Sequence, residues 1–248
     1  ASTDGTGNLL ATFEDDRLKV CTNDVLVPLY QARNLAVEQA CGEFIAFCDA
    51  DDLWFETKLD EQLKAFRETK DLLMCTNFIR LNERNAKDES TWIFENLPKK
   101  ANYDLIINAP YIHMSSLMVD RKIFSHHNIY FNGALTILGD MDFFVRCLSV
   151  TGVSAIDNFL TVYRYHETNT GLIRYVELYE EGIELLKTYE RDYPISKSVL
   201  YRFRQRINYV WFRNRTKYGQ VNMFDAFQKL ALPDFFKLSI LYFFPKIW

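Results

Sequence analysis

Residues 43–54, EFIAFCDADDLW, place three aspartates directly after a continuous apolar run. The run predicts a buried strand, and Asp49, Asp51 and Asp52 follow at its end. Carboxylates this close repel one another and are costly to bury unless a cation or several hydrogen-bond donors compensate them. Their hard oxygen atoms suit Mg²⁺ or Mn²⁺, which share their remaining positions with waters and substrate phosphates. The stretch therefore indicates a divalent-metal site or, alternatively, a turn that caps a helix beginning near Glu56.

Short apolar runs alternate with amphipathic segments as far as about residue 165. This alternation is typical of βα units and predicts an α/β fold, with a mostly parallel central sheet flanked by helices. After Thr170 the strand pattern ends, and a helical C-terminal region interrupted near Pro194, Gly219 and Pro233 is expected. The predicted strands are residues 18–22, 43–48, 72–81, 115–119 and 159–165, and the first two predicted helices are residues 28–41 and 56–69.

The composition is that of an ordinary globular protein, with 248 residues of which 48% are apolar and 25% charged. It excludes the collagen-like, disordered and low-complexity classes. The five cysteines have no CxxC spacing and lie mostly in apolar surroundings, which predicts buried free thiols in a reducing compartment. The sequence predicts neither a leader peptide nor a helix of the roughly 20 apolar residues that cross a bilayer.

The net charge of −4 conceals an uneven distribution. Residues 195–248 contain ten Lys or Arg and only two Asp or Glu, so the rest of the chain is strongly acidic. The basic part interleaves arginine with large aromatics, which predicts attachment to an anionic membrane surface through the C-terminal helices. We therefore expect a cytoplasmic protein, peripheral on the cytoplasmic face of a membrane, and no nucleic-acid partner. A helical hairpin packed on the rest of the chain, a dimer interface and a solvated arginine face are the alternatives.

Five short motifs follow one another along the chain. They are STDGT at residues 2–6, ARNLA at 32–36, GEFIAFCDADD at 42–52, LGDMDFFVR at 138–146 and YRYH at 163–166. Together they resemble the motifs of family 2 glycosyltransferases, the nucleotide-sugar-dependent enzymes of the GT-A fold. The resemblance implies a GT-A-like catalytic domain at residues 1–170, followed by a basic, aromatic helical region at residues 171–248. Family members carry a strand, a helix and a second strand before the STDGT turn, so we expect the chain to begin inside the domain.

This resemblance implies donor-binding residues around an Mn²⁺ or Mg²⁺ ion. Asp51, the second acid of the DxD motif, would hold the metal that bridges the two donor phosphates, and Asp49 would lie beside it, facing the ribose or donor sugar. Arg33 matches an arginine that helps to hold the nucleotide in the family; an ordinary surface ion pair is the alternative. The implied donor-binding set is Asp4, in the loop beneath the base, with Arg33, Asn34, Asp49 and Asp52.

Asp140, in LGDMDFFVR, aligns with the catalytic base of inverting members. A carboxylate there can take the proton of an acceptor hydroxyl as its oxygen attacks the anomeric carbon and the nucleotide diphosphate leaves. The motif departs from the family at Gly139, where glutamate is usual. Asp142 is the second carboxylate of the block and a candidate for the acceptor side. The alternative is that both acids are only helix-start residues, favoured by the helix dipole.

Two histidines complete the candidate site. His166 ends YRYH, where some relatives place a further ligand to the metal or diphosphate, and neutral imidazole can bind a metal. His113 lies in a region that lines the acceptor side in relatives. A structural role is the alternative for His166, and for His113 a pocket wall and a catalytic contact both stay open.

The resemblance implies inverting transfer of a sugar from a nucleotide diphosphate donor, a UDP-sugar, to a hydroxyl of a glycan or lipid-linked saccharide. Two other functions stay open. A sugar nucleotidyltransferase would need a glycine-rich phosphate loop, and none is visible in the sequence. A non-catalytic nucleotide-sugar-binding subunit is made credible by Gly139 and by the expected start of the chain inside the domain.

Overall fold

A computed structural model of the chain describes residues 4–82, 92–93, 97–109, 111–166, 173–216 and 223–231. The helices are α1 (Thr6–Leu10), α2 (Leu29–Gln39), α3 (Lys58–Phe66), α4 (Tyr103–Asn108), α5 (Lys122–Ser125), α6 (Gly139–Leu148), α7 (Tyr175–Asp192), α8 (Lys197–Thr216) and α9 (Met223–Lys229). The strands are β1 (Phe44–Ala46), β2 (Leu53–Trp54), β3 (Leu73–Asn82), β4 (Trp92–Ile93), β5 (Leu117–Asp120) and β6 (Val153–Tyr165), and a 3₁₀ turn over Met114–Ser116 precedes β5.

The described strands form one mixed sheet in the order β1-β5-β3-β6-β2, and β4 pairs with β3. β3 and β6 are parallel, whereas β5 is antiparallel to both of its neighbours, β1 and β3. β1, β3 and β6 therefore share one direction, and β5 runs between two of them in the opposite direction. The predicted α/β fold is confirmed, but the sheet is mixed rather than mostly parallel. An apolar run such as residues 115–119 identifies a buried strand without encoding its direction.

Most of the predicted elements form, with changed bounds. β1, α2 and α3 are shorter than predicted, whereas β6 begins at Val153 rather than at residue 159. The strand predicted at residues 18–22 is wrong, because this segment pairs with no strand among the described residues, and Leu18 and Val20 are 42% and 49% exposed. β-branched and apolar residues favour a strand only where a neighbouring strand and a packing surface are available. The break predicted near Pro194 separates α7 from α8, while those near Gly219 and Pro233 lie outside the described residues.

The main core joins the sheet to helices α2, α6, α7 and α8. Phe143 of α6, Tyr189 of α7 and Phe203 of α8 belong to one hydrophobic cluster, and each is 0% exposed. Phe143 also stacks on Phe131, with 4.3 Å between the ring centres. Because α7 and α8 bury their apolar faces in the same cluster as α6, they fix the position of the helix that carries Asp140. The domain boundary near residue 170 stays a prediction.

The five cysteines are all free thiols, but they are not all buried. Cys75 and Cys147 are buried, whereas Cys21, Cys41 and Cys48 are exposed. The prediction of buried thiols is therefore corrected for three of the five. Apolar neighbours along the chain do not determine which way a side chain points once a strand or helix has ended.

The basic, aromatic pattern of the C-terminal region is partly described, in α8. Arg215 lies 5.0 Å from the ring centre of Trp211, and that ring stacks on Tyr179 of α7 at 4.6 Å. These aromatics therefore pack between the two helices, in keeping with the hairpin alternative for this part of the pattern. None of the described helices has the length and apolar character needed to cross a membrane. Residues 232–248 lie outside the described residues.

Candidate active site

The acidic cluster lies in the turn between β1 and β2. The Asp52 amide donates to the Asp49 carbonyl at 3.0 Å, and this turn holds the two residues close together. Ser115, in the 3₁₀ turn before β5, bridges them: its Oγ donates to the Asp52 carboxylate and accepts from the Asp49 amide at 2.9 Å. Asp52 is 7% exposed and also accepts a bond from the Arg164 amide at 3.1 Å. Burial raises the pKa of Asp52, and the nearby His113 opposes the rise.

Among the described residues, one ligand atom each from Asp49, Asp52 and His113 lie within 4.8 Å of one another. His113 Nδ1 is 3.4 Å from Asp52 Oδ2, and this buried nitrogen has no hydrogen-bond partner. Burial lowers the pKa of His113, while the charges of Asp52 and Asp49 oppose that change. A neutral imidazole with an unpartnered nitrogen beside two carboxylates is a donor set that suits Mn²⁺ or Mg²⁺.

Two other predicted metal ligands, Asp51 and His166, form a separate pair. His166 Nε2 lies 3.0 Å from Asp51 Oδ2, and the side chains are 28% and 43% exposed, respectively. The sequence prediction combined Asp49 with Asp51 and His166, whereas the structure groups Asp49 with Asp52 and His113. In the sequence prediction His113 is a candidate for the acceptor side and not a metal ligand. The binding of a metal by Asp49, Asp51 and His166 stays a prediction.

Arg33 lies inside the site, where its Nη2 is 2.6 Å from Asp49 Oδ1. Its side chain is only 11% exposed, and its guanidinium lies 5.6 Å from the ring centre of Tyr30. The ion-pair alternative is therefore realised with a carboxylate of the acidic cluster rather than with a surface acid. Asn34, next in the chain, donates to the Phe131 carbonyl at 2.8 Å and accepts from the Phe131 amide at 2.9 Å. These bonds anchor the loop before α6, and the nucleotide contact of Asn34 stays a prediction.

Asp4 is exposed and is not brought to the acidic cluster by any described contact. Its carboxylate accepts bonds from the Thr6 hydroxyl at 2.6 Å and the Thr6 amide at 3.2 Å, and these bonds lower the pKa of Asp4. The local structure is a turn at the start of α1. The expected contact of Asp4 with the base stays a prediction.

Asp140 is the second residue of α6. It lies close enough to Arg33 and His113 for their charges to lower its pKa. Its Oδ1 accepts a bond from the Met141 amide at 2.8 Å and lies 3.5 Å from the Tyr30 hydroxyl. Burial raises the pKa of Asp140, and the Met141 bond and the charge of Arg33 oppose the rise. A carboxylate with a raised pKa is a stronger base than an exposed aspartate, which suits removal of a proton from a hydroxyl.

Gly139 leaves room for the ring of Tyr30. A Cβ atom at residue 139 would lie 2.5 Å from two carbons of that ring. Tyr30 is 2% exposed, and its hydroxyl donates to the Ile137 carbonyl at 3.0 Å. The tyrosine therefore fills the space into which a side chain at residue 139 would project. The departure from the family motif is explained by packing, a contact between α2 and α6 that sequence reasoning missed.

Gly139→Ala is expected to lower the free energy of unfolding by about 1–3 kcal/mol, because the methyl group must displace a buried ring in a packed core. Urea unfolding of the two proteins measures the difference. Tyr30→Ala provides the matched background, since a smaller residue there leaves space for the methyl group. The substitution at residue 139 should cost much less in that background. Equal losses in both backgrounds would contradict the packing explanation.

The loop before α6 is held by Glu181 of α7. The Glu181 carboxylate accepts backbone N–H bonds from Thr136 at 2.5 Å, from Ile137 at 3.0 Å and from Leu138 at 2.9 Å. A carboxylate that accepts bonds from three successive amides fixes the backbone leading into a helix N-terminus. The C-terminal helices thus position the helix start at Asp140. No sequence signal marked Glu181, because it lies more than 40 residues from its partners.

The Asp142 side chain is buried and pairs with a residue of its own helix. It is 4% exposed, and Arg146 Nε donates to it at 2.8 Å, one helical turn further on. Burial raises the pKa of Asp142, and the charge of Arg146 opposes the rise. Residues two apart on a helix differ by about 200° in direction, which is why Asp142 does not accompany Asp140 to the cluster. Its predicted acceptor contact gains no support from this geometry.

Lys58, the first residue of α3, is buried near the acidic turn. It is 0% exposed, its Nζ donates to Gln62 Oε1 at 2.7 Å, and it lies 4.1 Å from the ring centre of Trp54. Gln62 donates to the Ser116 carbonyl at 3.0 Å, and Trp54 Nε1 donates to the Ser115 carbonyl at 2.7 Å. Burial lowers the pKa of Lys58 to about 8. This network fixes the 3₁₀ turn whose Ser115 hydroxyl holds the two aspartates.

The sequence is similar to those of known glycosyltransferases. A model described as "Glycosyl transferase family 2" matches residues 1–127. The chain is 29% identical over 122 residues to the Escherichia coli "UDP-Glc:alpha-D-GlcNAc-diphosphoundecaprenol beta-1,3-glucosyltransferase WfgD", covering 49% of this chain and 46% of that protein. It is 32% identical over 122 residues to WfaP, an E. coli protein with the same described activity, with the same two coverages. The chain spans about half the length of these curated relatives.

Solved structures share the fold. TarS residues 1–349 of S. aureus, in complex with UDP-GlcNAc, match with a TM-score of 0.60 and 16% identity over 96% of this chain and 68% of that one. The mannosyltransferase PcManGT from Pyrobaculum calidifontis, in complex with GDP-Man and Mn²⁺, matches with a TM-score of 0.55 and 14% identity over 99% and 76%. The expected GT-A fold is thereby confirmed. At these identities the likeness concerns the fold alone.

Proposed function

The chain belongs to glycosyl transferase family 2, and from this membership we propose that it transfers a sugar from a UDP-sugar to a hydroxyl of a lipid-linked saccharide. The observation that carries the proposal is the meeting of Asp49, Asp52, His113 and Arg33 at the end of β1, with Asp140 nearby. Asp49 and Asp52, which can bind a cation, therefore lie near Asp140, which can accept a proton. The activity named for WfgD, and UDP-GlcNAc in the TarS complex, support the donor and the acceptor class.

Mn²⁺ or Mg²⁺ is the cofactor of this proposal. Asp51 with Asp49 and His166 would hold it, and Asp49 with Asp52 and His113 are the alternative ligands. When bound, such a cation neutralises the charge of a nucleotide diphosphate and so makes it a better leaving group. Mn²⁺ in the PcManGT complex supports the assignment. Arg33, already held against Asp49, would add a charge-assisted bond to the nucleotide.

Asp140 is the proposed catalytic base. Its carboxylate would accept the proton of the acceptor hydroxyl while the hydroxyl oxygen forms its bond to the anomeric carbon and the bond to the diphosphate breaks. One such displacement inverts the anomeric configuration. The Met141 amide orients the carboxylate, and burial makes it more basic than an exposed aspartate.

Donor hydrolysis tests this function. The full chain is incubated with Mn²⁺ and a panel of nucleotide sugars without acceptor, and slow release of the nucleoside diphosphate is expected with the UDP-sugars. This release should disappear in Asp51→Ala and fall sharply in Asp140→Ala. Nucleotide-sugar binding without turnover would instead identify a non-catalytic subunit, and formation of pyrophosphate would identify a nucleotidyltransferase.

Residues 171–248 are proposed to hold the catalytic domain of residues 1–170 at the cytoplasmic face of a membrane, where lipid-linked acceptors are found. The support is the net positive charge of residues 195–248 and their interleaved aromatics. Basic residues near an anionic leaflet each contribute about 1 kcal/mol to binding, and aromatic side chains insert into the interface.

Deletion of residues 233–248 is expected to weaken binding to phosphatidylglycerol vesicles by about tenfold or more, since it removes two lysines and six aromatic residues. Sedimentation with vesicles measures the effect, and phosphatidylcholine vesicles serve as the uncharged comparison. Lys237→Gln combined with Lys246→Gln separates the contribution of charge from that of the aromatics. Unchanged sedimentation of the deleted chain would contradict membrane attachment by this segment.

A further inference from the structure

Among the described residues, Arg80 of β3 has no counter-ion. Its guanidinium stacks on Tyr165, with 3.6 Å between the guanidinium carbon and the ring centre. The side chain is half-buried, and in the described part of the chain its Nε is buried without a hydrogen-bond partner and no carboxylate lies within ion-pair distance. Arg33, at the acidic cluster, is paired with Asp49. Partial burial of an unpaired guanidinium is unfavourable unless an anion binds there.

Aromatic rings connect this arginine to the acidic cluster. His113 touches Asp52 and stacks on Tyr163, with 4.1 Å between ring centres. Tyr163 lies 6.3 Å from Tyr165, which carries the Arg80 guanidinium. Arg80 and Tyr163 are opposite each other in the parallel β3–β6 pair. The groups on this face therefore lie in a row. The carboxylates of the acidic cluster come first, then the His113 ring, then the two tyrosine rings, and the Arg80 guanidinium is last.

This order of groups matches a sugar that carries a phosphate. Aromatic faces pack against the C–H surfaces of sugar rings, and guanidinium groups bind phosphate oxygens through two parallel hydrogen bonds. The donor diphosphate would be held at the acidic end through its cation. An anion at the far end of the tyrosines would then belong to the second substrate.

We propose that Arg80 and Tyr165 bind the phosphate that links the acceptor saccharide to its lipid carrier. This inference rests on the proposed function and specifies its acceptor as a sugar joined to phosphate rather than a neutral glycan. The saccharide would lie over Tyr163, with a hydroxyl toward the acidic cluster and its phosphate at Arg80. Arg80 is thereby a specificity-determining residue for the acceptor, with no part in donor binding.

Two acceptor analogues and one donor probe test the proposal in the full chain. The analogues share an N-acetylglucosamine and a decyl tail, and differ in whether a diphosphate or a simple glycosidic bond joins them. UDP with Mn²⁺ is the donor probe. Calorimetry measures the affinity of each probe for the wild-type chain and for Arg80→Met, Arg80→Lys and Arg121→Met. Arg121, an exposed arginine at the start of α5, supplies a control for the loss of one positive charge.

Arg80→Met is expected to weaken binding of the diphosphate analogue by about 10–100-fold, the range for a lost charge-assisted contact. Arg80→Lys should lose several-fold, because lysine keeps the charge without the planar pair of donors. Binding of the neutral analogue and of UDP should stay within about twofold in both variants, as should all three affinities in Arg121→Met. Thermal unfolding of each variant shows whether it is folded. If Arg80→Met does not fold, the comparison is made with Arg80→Lys alone.

Three results would overturn the proposal. Equal losses for the diphosphate and neutral analogues would indicate a structural role for Arg80, and a parallel loss of UDP affinity would assign it to the donor. A wild-type chain that does not prefer the diphosphate analogue would have no such subsite. These results are distinct from failure of the proposed function, which would appear as absence of UDP-sugar binding or hydrolysis whichever analogue is preferred.

Discussion

Asp140→Asn is expected to reduce the rate of sugar transfer by about 10²–10⁴-fold, the usual contribution of a general base. Asparagine has the shape of aspartate and keeps an oxygen for the Met141 amide, so the start of α6 should be retained. It cannot accept the proton of the acceptor hydroxyl. UDP release in the presence of acceptor measures the rate, and the affinity for UDP with Mn²⁺ should change by less than about threefold.

Asp142→Asn is the matched control, because it removes a second buried carboxylate from the same helix. Its partner is Arg146, so the expected effect is on the free energy of unfolding, with turnover largely retained. Similar losses of turnover in the two variants would contradict the assignment of Asp140 as the base.

The pH profile of the wild-type chain offers a second check on Asp140. Burial raises its pKa, so the active carboxylate form is present above the raised value and is lost as the pH falls through it. The acid limb of the rate profile should therefore lie at a higher pH than the pKa of an exposed aspartate. This limb should be missing from the residual activity of Asp140→Asn.

Asp51→Ala is expected to weaken the Mn²⁺-dependent binding of UDP by about 100-fold. Asp49 is paired with Arg33, and Asp52 already accepts bonds from Ser115 and the Arg164 amide, whereas the Asp51 side chain is 43% exposed. The most exposed carboxylate is the one that a cation and a diphosphate can reach with least rearrangement. Calorimetric titration of UDP with and without Mn²⁺ measures the effect.

His166→Gln and His113→Gln separate the two possible ligand groups. If Asp51 and His166 hold the cation, His166→Gln should weaken Mn²⁺-dependent binding by about tenfold or more, and His113→Gln should change it by much less. The reverse pattern, in which Asp51→Ala retains its Mn²⁺-dependent affinity for UDP, would identify Asp49, Asp52 and His113 as the ligands of the cation.

Local patterns were enough to predict much of the fold. The apolar run before Asp49 is β1, and the periodic segments at residues 28–41 and 56–69 contain α2 and α3. Each of these depends on residues close together in the chain. The segment at residues 18–22 has the same kind of local pattern, yet it is exposed and forms no strand, because pairing depends on partners that a local pattern does not contain.

The missed parts of the candidate site are long-range contacts. His113 reaches Asp52, and Tyr30 fills the space beside Gly139. The glycine was visible as a departure from the family motif, but its partner more than 100 residues away was not. Glu181 gave no signal at all, since a glutamate on an amphipathic helix is usually only a solvated residue. Folding is what brings these residues together.

The three hydrogen bonds that Glu181 accepts from backbone N–H groups limit how short an active fragment can be. The motif resemblance ends near residue 170, which would suggest a truncation that omits α7. Such a polypeptide would keep every motif residue and lose the anchor of residues 136–138. The smallest unit able to present Asp140 correctly must therefore extend well past the last recognisable motif.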